Sequence, residues 1–97
     1  MSGERLFIVA YDIADGRRWR RVFKTLNGFG EWIQLSVFQC RLSSRRRAEL
    51  ETRLRALVKT GEDHVLLIDV GPADRVDLAI ASIGKAFAKV ERRATVI

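Results

Sequence analysis

The chain has 97 residues, 47% of them apolar, which predicts one small globular domain over residues 1–97 and excludes a disordered chain. No apolar run reaches the roughly 18 residues of a membrane-spanning helix, and residues 1–5 lack the layout of a signal peptide. The single cysteine excludes an internal disulfide, so we expect a cytoplasmic protein with no membrane partner. The net charge of +6 is concentrated, since residues 17–59 alone carry +9, and such a block predicts a polyanionic partner.

The first third of the chain predicts a strand followed by an amphipathic helix. Residues 5–12 form a short apolar run that ends on Asp12, as a buried strand does. Asp15 and Gly16 then form a turn, in which Asp15 is expected to cap the helix over residues 17–27. The apolar stripe of that helix repeats at helical spacing and consists of Trp19, Val22, Phe23 and Leu26.

The middle of the chain is rich in strand-forming residues. Residues 31–42 predict either two short antiparallel strands or one strongly bent strand, with the break near Ser36. Ser43 or Ser44 can cap the next helix. The core stripe of that second helix is Leu50, Leu54, Leu57 and Val58.

The last third begins with an apolar strand over residues 64–70. Residues 76–87 suit a helix and a strand about equally, and residues 95–97 are strand formers. With the middle segment split, the order of elements is βαββαβ, the α+β arrangement called ferredoxin-like. Its helices cover one face of the sheet, so the apolar open face predicts a homodimer packed through the sheet faces.

Asp12 is the candidate catalytic residue and metal ligand. A carboxylate at a strand end, beside a basic helix, is a hard oxygen ligand that suits Mg²⁺. A dimer could bring two copies of Asp12 together, and the ion between them could activate water against a phosphodiester. The alternative is a turn-forming aspartate that bonds its own backbone. Tyr11 should point to the opposite face of the strand.

Two groups of arginines are candidates for binding the phosphates of nucleic acid. The first group lies on the polar face of the first helix and consists of Arg17, Arg18, Arg20 and Arg21. The second group begins the second helix and consists of Arg45, Arg46 and Arg47. Cations in the first turn oppose the helix dipole, so anion binding offers a reason for placing them there. No Asn, Gln and Arg array for reading bases is evident, so sequence-independent binding is expected.

Several of these segments together resemble a known family. The chain looks like the second of the two core CRISPR-associated adaptation proteins in four segments. They are Tyr11-Asp12-Ile13, the arginine-rich helix, Gly28-Phe29-Gly30 and the run from Gln34 to Phe38. Members of this family are the small dimeric partners of the CRISPR integrase and are often labelled endoribonucleases. The resemblance covers nearly the whole chain in order and length.

The resemblance implies a homodimer that binds short duplex DNA beside the CRISPR integrase during spacer acquisition, with single-stranded RNA as a further candidate ligand. It also implies Mg²⁺-dependent endonuclease activity on RNA or DNA in several members. By resemblance, residues 76–83 are a strand, and residues 94–97 form an extra C-terminal strand that crosses to the other protomer.

The sequence also allows two other functions. The protein could be a purely structural nucleic-acid-binding scaffold without catalysis. It could also be a ferredoxin-like RNA-binding module that stacks bases on sheet aromatics, for which Phe7 and Phe38 are the candidates.

Overall fold

Two helices cover one face of a four-stranded antiparallel sheet in the computed structural model, which describes residues 3–86. The strands are β1 (Arg5–Asp12), β2 (Glu31–Gln34), β3 (Val37–Leu42) and β4 (His64–Pro72). The helices are α1 (Gly16–Asn27) and α2 (Ser44–Leu57). The strand order is β2-β3-β1-β4, so the predicted α+β class and βαββαβ order are confirmed. Neither of these helices is long and apolar enough to cross a membrane.

β1 is the central strand and pairs with β3 on one side and β4 on the other. Its side chains alternate between the two sheet faces. Phe7, Val9 and Tyr11 join the core beneath the helices, so the predicted orientation of Tyr11 away from Asp12 is confirmed. Phe7 and Phe38 are both buried in this same core. The idea that they stack bases is therefore wrong, because their rings lie under the helices rather than on the open face.

The part of the core between α1 and the sheet contains an aromatic cluster. Trp19 stacks on Phe23 at 5.4 Å between ring centroids, and Phe23 meets Phe38 edge-on at 5.3 Å. The predicted helical stripe therefore does face the sheet. α1 begins where predicted, because the Asp15 side chain accepts the Arg18 backbone N–H at 3.0 Å. Of the two candidate caps of α2, Ser43 is the one used, and its hydroxyl accepts the Arg46 N–H at 3.1 Å.

The segment 31–42 is two strands joined by a tight turn, the first of the two predicted forms. The turn is made possible by Leu35, whose φ of 41° lies in the left-handed region. The Leu35 carbonyl accepts the indole N–H of Trp32 at 3.0 Å, and this bond helps to hold the uncommon conformation. The break lies beside Ser36, as predicted.

After β4 the described chain forms no further strand or helix up to residue 86. The prediction that residues 76–83 form a strand is therefore wrong for the single chain. A strand exists only where its backbone pairs with a neighbour, and these residues have none within the described protomer. Arg41 contacts the chain here, because its guanidinium donates to the Ala73 carbonyl at 3.1 Å and pairs with Asp77 at 3.5 Å. Residues 94–97, predicted to cross to a partner, lie outside the described residues.

Gly30 is required by packing rather than by its backbone angles. A Cβ atom there would lie 2.5 Å from the Cys40 sulfur and 2.9 Å from its Cα, and it would also meet the Gln39 carbonyl. Gly28, two residues earlier, leaves more room, since a Cβ atom there would meet one carbonyl oxygen at 3.3 Å. The close approach at Gly30 seats the start of β2 against β3.

We predict that Gly30→Ala destabilises the protein by about 1–3 kcal/mol, since the new methyl group overlaps backbone that cannot move easily. The control Gly28→Ala should change stability by about 0.5 kcal/mol or less, because Gly28 adopts an ordinary helical conformation. Urea unfolding followed by circular dichroism measures both. Equal effects of the two variants would contradict this account.

Candidate functional site

Asp12 ends β1 with an exposed carboxylate on the sheet face that the helices leave open. Alternation along the strand places it on the same face as Ile8 and Ala10, and its direct cross-strand partner is His64. Within residues 3–86, no hydrogen bond or ion pair occupies the Asp12 side chain. The carboxylate is therefore available to a ligand.

Two other carboxylates shape the turn that follows Asp12. Asp15 caps α1, as described above. Asp63, from the loop between α2 and β4, accepts the Ala14 backbone N–H at 2.9 Å. The alternative that Asp12 is the turn-forming residue has no support, because other side chains make the bonds that such a residue would make.

The carboxylate of Asp63 is fully buried and ionised. The Arg18 guanidinium is the main cause, and together with the backbone N–H groups of Ala14 and Lys59 it holds the pKa of Asp63 well below its ordinary range. A depressed pKa means that the folded state favours the charged form. The resulting stabilisation is present above the unfolded-state pKa and is lost as the pH falls through the folded-state value.

We predict that Asp63→Asn lowers stability most at pH values above about 4, near the ordinary pKa of an aspartate, and progressively less in more acidic solution. The free energy of unfolding of wild type and variant, measured in urea between pH 3 and pH 7, checks this. A difference that stays constant over the whole range would show that charge on Asp63 contributes nothing to stability.

The exposed face of α1 carries an unpaired cationic surface. Arg17, Arg20, Arg21 and Lys24 line a shallow groove of about 220 Å³, and within residues 3–86 none of them forms an ion pair. Arg18 differs from these four because its guanidinium bonds to Asp63 at 2.7 Å and to Glu62 at 3.2 Å. Of the four arginines predicted on this helix, Arg18 is paired within the protein, whereas the other three present their charge to the solvent.

The arginines that begin α2 are mostly engaged within the protein. Arg46 pairs with Glu49 at 2.7 Å and lies over the Phe29 ring at 4.1 Å. Arg47 pairs with Glu51 at 2.7 Å. These contacts offset the unfavourable dipole interaction, so the helix does not need an anion to accommodate them. Within the described chain Arg45 alone of the three has no ion pair.

Lys24 extends the unpaired cationic surface beyond the predicted residues, and Arg53, which pairs with Glu49 at 3.1 Å, lies beside it. Both line a second groove, of about 360 Å³, between the two helices. Lys24 follows Arg20 by one helical turn, so helical spacing could have identified it. Arg53 and the buried Asp63 carried no comparable sequence signal, because their roles depend on how α2 and its following loop pack against α1.

Metal ligands are few in a single protomer. Among residues 3–86 no three His, Cys, Asp or Glu side chains are close enough together to hold a metal ion. The free Asp12 carboxylate suits Mg²⁺, which keeps several waters and needs only one or two carboxylates from the protein. A closed zinc site, which needs four protein ligands, does not fit these residues.

The fold and site together define a small, basic, ferredoxin-like protein with a free carboxylate at a strand end. The family model described as CRISPR associated protein Cas2 matches residues 5–77 of this chain. The chain therefore belongs to the Cas2 family, and the resemblance found in its sequence is confirmed.

Curated relatives span nearly the whole chain. A protein of Rhodospirillum rubrum named CRISPR-associated endoribonuclease Cas2 1 is 54% identical over 96 residues, which are 99% of this chain and 94% of the relative. A protein of Geobacter sulfurreducens named CRISPR-associated endoribonuclease Cas2 is 51% identical over 94 residues, which are 97% of this chain and 99% of the relative.

Solved structures share the architecture. A hypothetical protein from Thermus thermophilus has a TM-score of 0.75 and 34% identity, covering 89% of this chain and all 100% of its own. A structure titled as cas2 has a TM-score of 0.71 and 34% identity, covering 91% of this chain and 98% of its own. The ferredoxin-like fold is thus the fold of these similar proteins.

Proposed function

We propose that this protein is a Mg²⁺-dependent endonuclease of CRISPR adaptation that acts as a homodimer on RNA or DNA phosphodiesters. In the cytoplasm it would also bind short duplex DNA and contact the CRISPR integrase during spacer acquisition. Relatives named endoribonuclease support the nuclease activity. The observation that carries the proposal is the exposed Asp12 carboxylate, which no residue of the described chain occupies.

The open sheet face supports the homodimer. Leu66 and Ile68 are 51% and 48% exposed, and they pair across the sheet with Ala10 and Ile8. A contiguous apolar surface of this kind is typical of an interface. Since Asp12 lies on that same face, packing two sheets together would bring it toward the partner protomer.

Two Asp12 carboxylates, one from each protomer, would hold the ion and leave room for a phosphate between them. When bound, Mg²⁺ would lower the pKa of a coordinated water and stabilise negative charge on the phosphate. The protein's own part is to hold both carboxylates in place and open to the substrate.

The outward cations of α1 support phosphate binding. Arg17, Arg20, Arg21 and Lys24 form no ion pair within the described chain, although Arg17 is near enough to Asp15 to favour its charged form. Like charges this close repel one another. Phosphates of a nucleic acid would relieve that repulsion. Arg46 and Arg47 stay predictions as phosphate ligands, but each would have to give up an ion pair first. Arg18 binds both Asp63 and Glu62, so this proposal assigns it no phosphate.

The second candidate is a binding scaffold that performs no catalysis. It is favoured by the cationic surface on α1, which needs no metal, and by the presence of one free carboxylate per protomer. The scaffold and the nuclease are separated by whether cleavage depends on Asp12 and on a divalent ion.

We predict that Asp12→Asn lowers Mg²⁺-dependent cleavage by more than about 100-fold, because even residues that only support a metal ligand cost 10–100-fold. Stability and duplex affinity should hardly change, since the Asp12 side chain makes no hydrogen bond or ion pair within the described chain. Labelled RNA and duplex DNA serve as substrates, with Mg²⁺ or with a chelator.

The matched control is Asp74→Asn, which removes the same charge from an exposed turn after β4. It should cleave like wild type. Cleavage that is equal in wild type and Asp12→Asn would remove Asp12 from the mechanism. Absence of cleavage by every protein would leave the scaffold as the function.

We predict that duplex binding weakens steeply with salt, and that replacing Arg17, Arg20 and Arg21 with Ala flattens this dependence. For each phosphate that the variant no longer neutralises, the slope of log affinity against log salt should change by about 0.9. The control variant, Arg46→Ala with Arg47→Ala, should change the slope less, because its arginines are already paired. Fluorescence anisotropy on two unrelated duplex sequences measures the slopes, and strong sequence preference would contradict phosphate binding.

We predict a dimer of roughly 22 kDa, twice the 11.1 kDa chain, in sedimentation at micromolar concentration. Ile68→Glu should yield monomers, because it places a charge in the centre of the proposed interface. Leu35→Glu, at the exposed β2–β3 turn, is the control and should remain dimeric. A wild-type protein that sediments at 11.1 kDa would rule out the paired Asp12 site.

A further inference from the structure

Asp63 lies in a loop, yet both oxygens of its carboxylate accept hydrogen bonds. Its side chain has an exposed fraction of 0%. One oxygen accepts the backbone N–H of Ala14 at 2.9 Å and Nη2 of Arg18 at 3.2 Å. The other oxygen accepts Nε of Arg18 at 2.7 Å and the backbone N–H of Lys59 at 2.8 Å. Four donors therefore converge on one carboxylate.

These four donors come from three different parts of the chain. Ala14 belongs to the loop between β1 and α1, Arg18 to the first turns of α1, and Lys59 to the loop that follows α2. Asp63 therefore ties the β1–α1 loop to the α2–β4 loop through a single buried group. These hydrogen bonds lie between the C-terminal end of β1 and the start of α1.

The hydrogen bonds of Asp63 limit the movement of Asp12 in two ways. Ala14 is two residues beyond Asp12, so fixing its N–H limits how far the end of β1 can move. His64, the residue after Asp63, is the direct sheet partner of Asp12. Movement of the Asp63 loop would therefore disturb both the chain leaving Asp12 and the strand beside it.

We propose that Asp63 is the positioning residue for Asp12, and that Arg18 is its counter-ion rather than a ligand for phosphate. The inference rests on the proposed metal-binding role of Asp12. In this role the Asp63 side chain touches neither the metal nor the substrate. It holds the Asp12 carboxylate in one place at the edge of the sheet.

The site requires a carboxylate and not merely a polar group. Every partner of Asp63 is a donor, so both oxygens must accept. Asparagine has the same shape, but its amide N–H₂ would face at least one of these donors and leave it unsatisfied. Removing Arg18 would instead leave a buried charge without its counter-ion.

The test compares Asp63→Asn and Arg18→Ala with wild type, using Mn²⁺ alone as the probe and electron paramagnetic resonance to measure its binding. Mn²⁺ suits the same carboxylate and water ligands as Mg²⁺. Both variants should bind Mn²⁺ about 10-fold or more weakly, as supporting residues of metal ligands do. The control is Asp69→Asn, which breaks an exposed pair with Arg5 elsewhere on β4 and should leave Mn²⁺ binding unchanged.

A second measurement needs no metal. Hydrogen exchange at the Ala14 amide should become faster in both variants and stay slow in Asp69→Asn, because Asp63 is the acceptor of that amide. The slope of duplex affinity against salt should not change in Arg18→Ala, in contrast to the Arg17, Arg20 and Arg21 variant. If Asp63→Asn does not fold, Arg18→Ala alone is compared with wild type in both measurements.

The outcomes separate this inference from the proposed function. Wild-type Mn²⁺ binding that Asp63→Asn and Arg18→Ala retain in full would overturn the positioning role and leave Asp12 as the ligand. A flattened salt slope in Arg18→Ala would overturn the assignment of Arg18. Wild type that binds no Mn²⁺ would overturn the metal role of Asp12 and the positioning inference that rests on it, whatever the exchange at Ala14 shows.

Discussion

The pairing of β1 on both of its sides is the constraint on which the rest of this structure depends. Because β3 and β4 fix its register, each side chain of β1 is committed to one face of the sheet. From Phe7 onward, odd-numbered residues such as Val9 pack beneath the helices, whereas even-numbered residues such as Ile8 lie on the open face. A slip by one residue would bury Asp12 and expose Tyr11. The position of the candidate ligand is thus a consequence of core packing.

Arginine has two distinct uses in this protein. Arg18, Arg46 and Arg47 bind carboxylates of the same chain and so contribute to holding loops and helix ends. Arg17, Arg20 and Arg21 have no such partners within the described residues and present charge to the solvent. Only some of the arginines behind the +6 net charge are therefore available to bind a polyanion.

The elements with strong local signals could be predicted from the sequence. The β1 run, the apolar stripe of α1 and its Asp15 cap were all identified, because alternation, helical spacing and capping are local properties. The segment 76–83 could not be predicted, since a strand there would need a neighbour that one chain does not supply. The pairing of Asp63 with Arg18 joins residues 45 positions apart and depends on tertiary packing, so no local pattern indicates it. The exposed position of Asp12 at a strand end could be predicted because it is a local feature, and its role as a metal ligand stays a prediction.

A crystal structure grown with Mn²⁺, with anomalous scattering used to locate the ion, tests the central claim most directly. We predict a sheet-to-sheet dimer in which the Asp12 carboxylates of both protomers bind one ion, directly or through its waters. A dimer that holds the two carboxylates too far apart to share a hydrated ion, with no anomalous peak beside either, would contradict it.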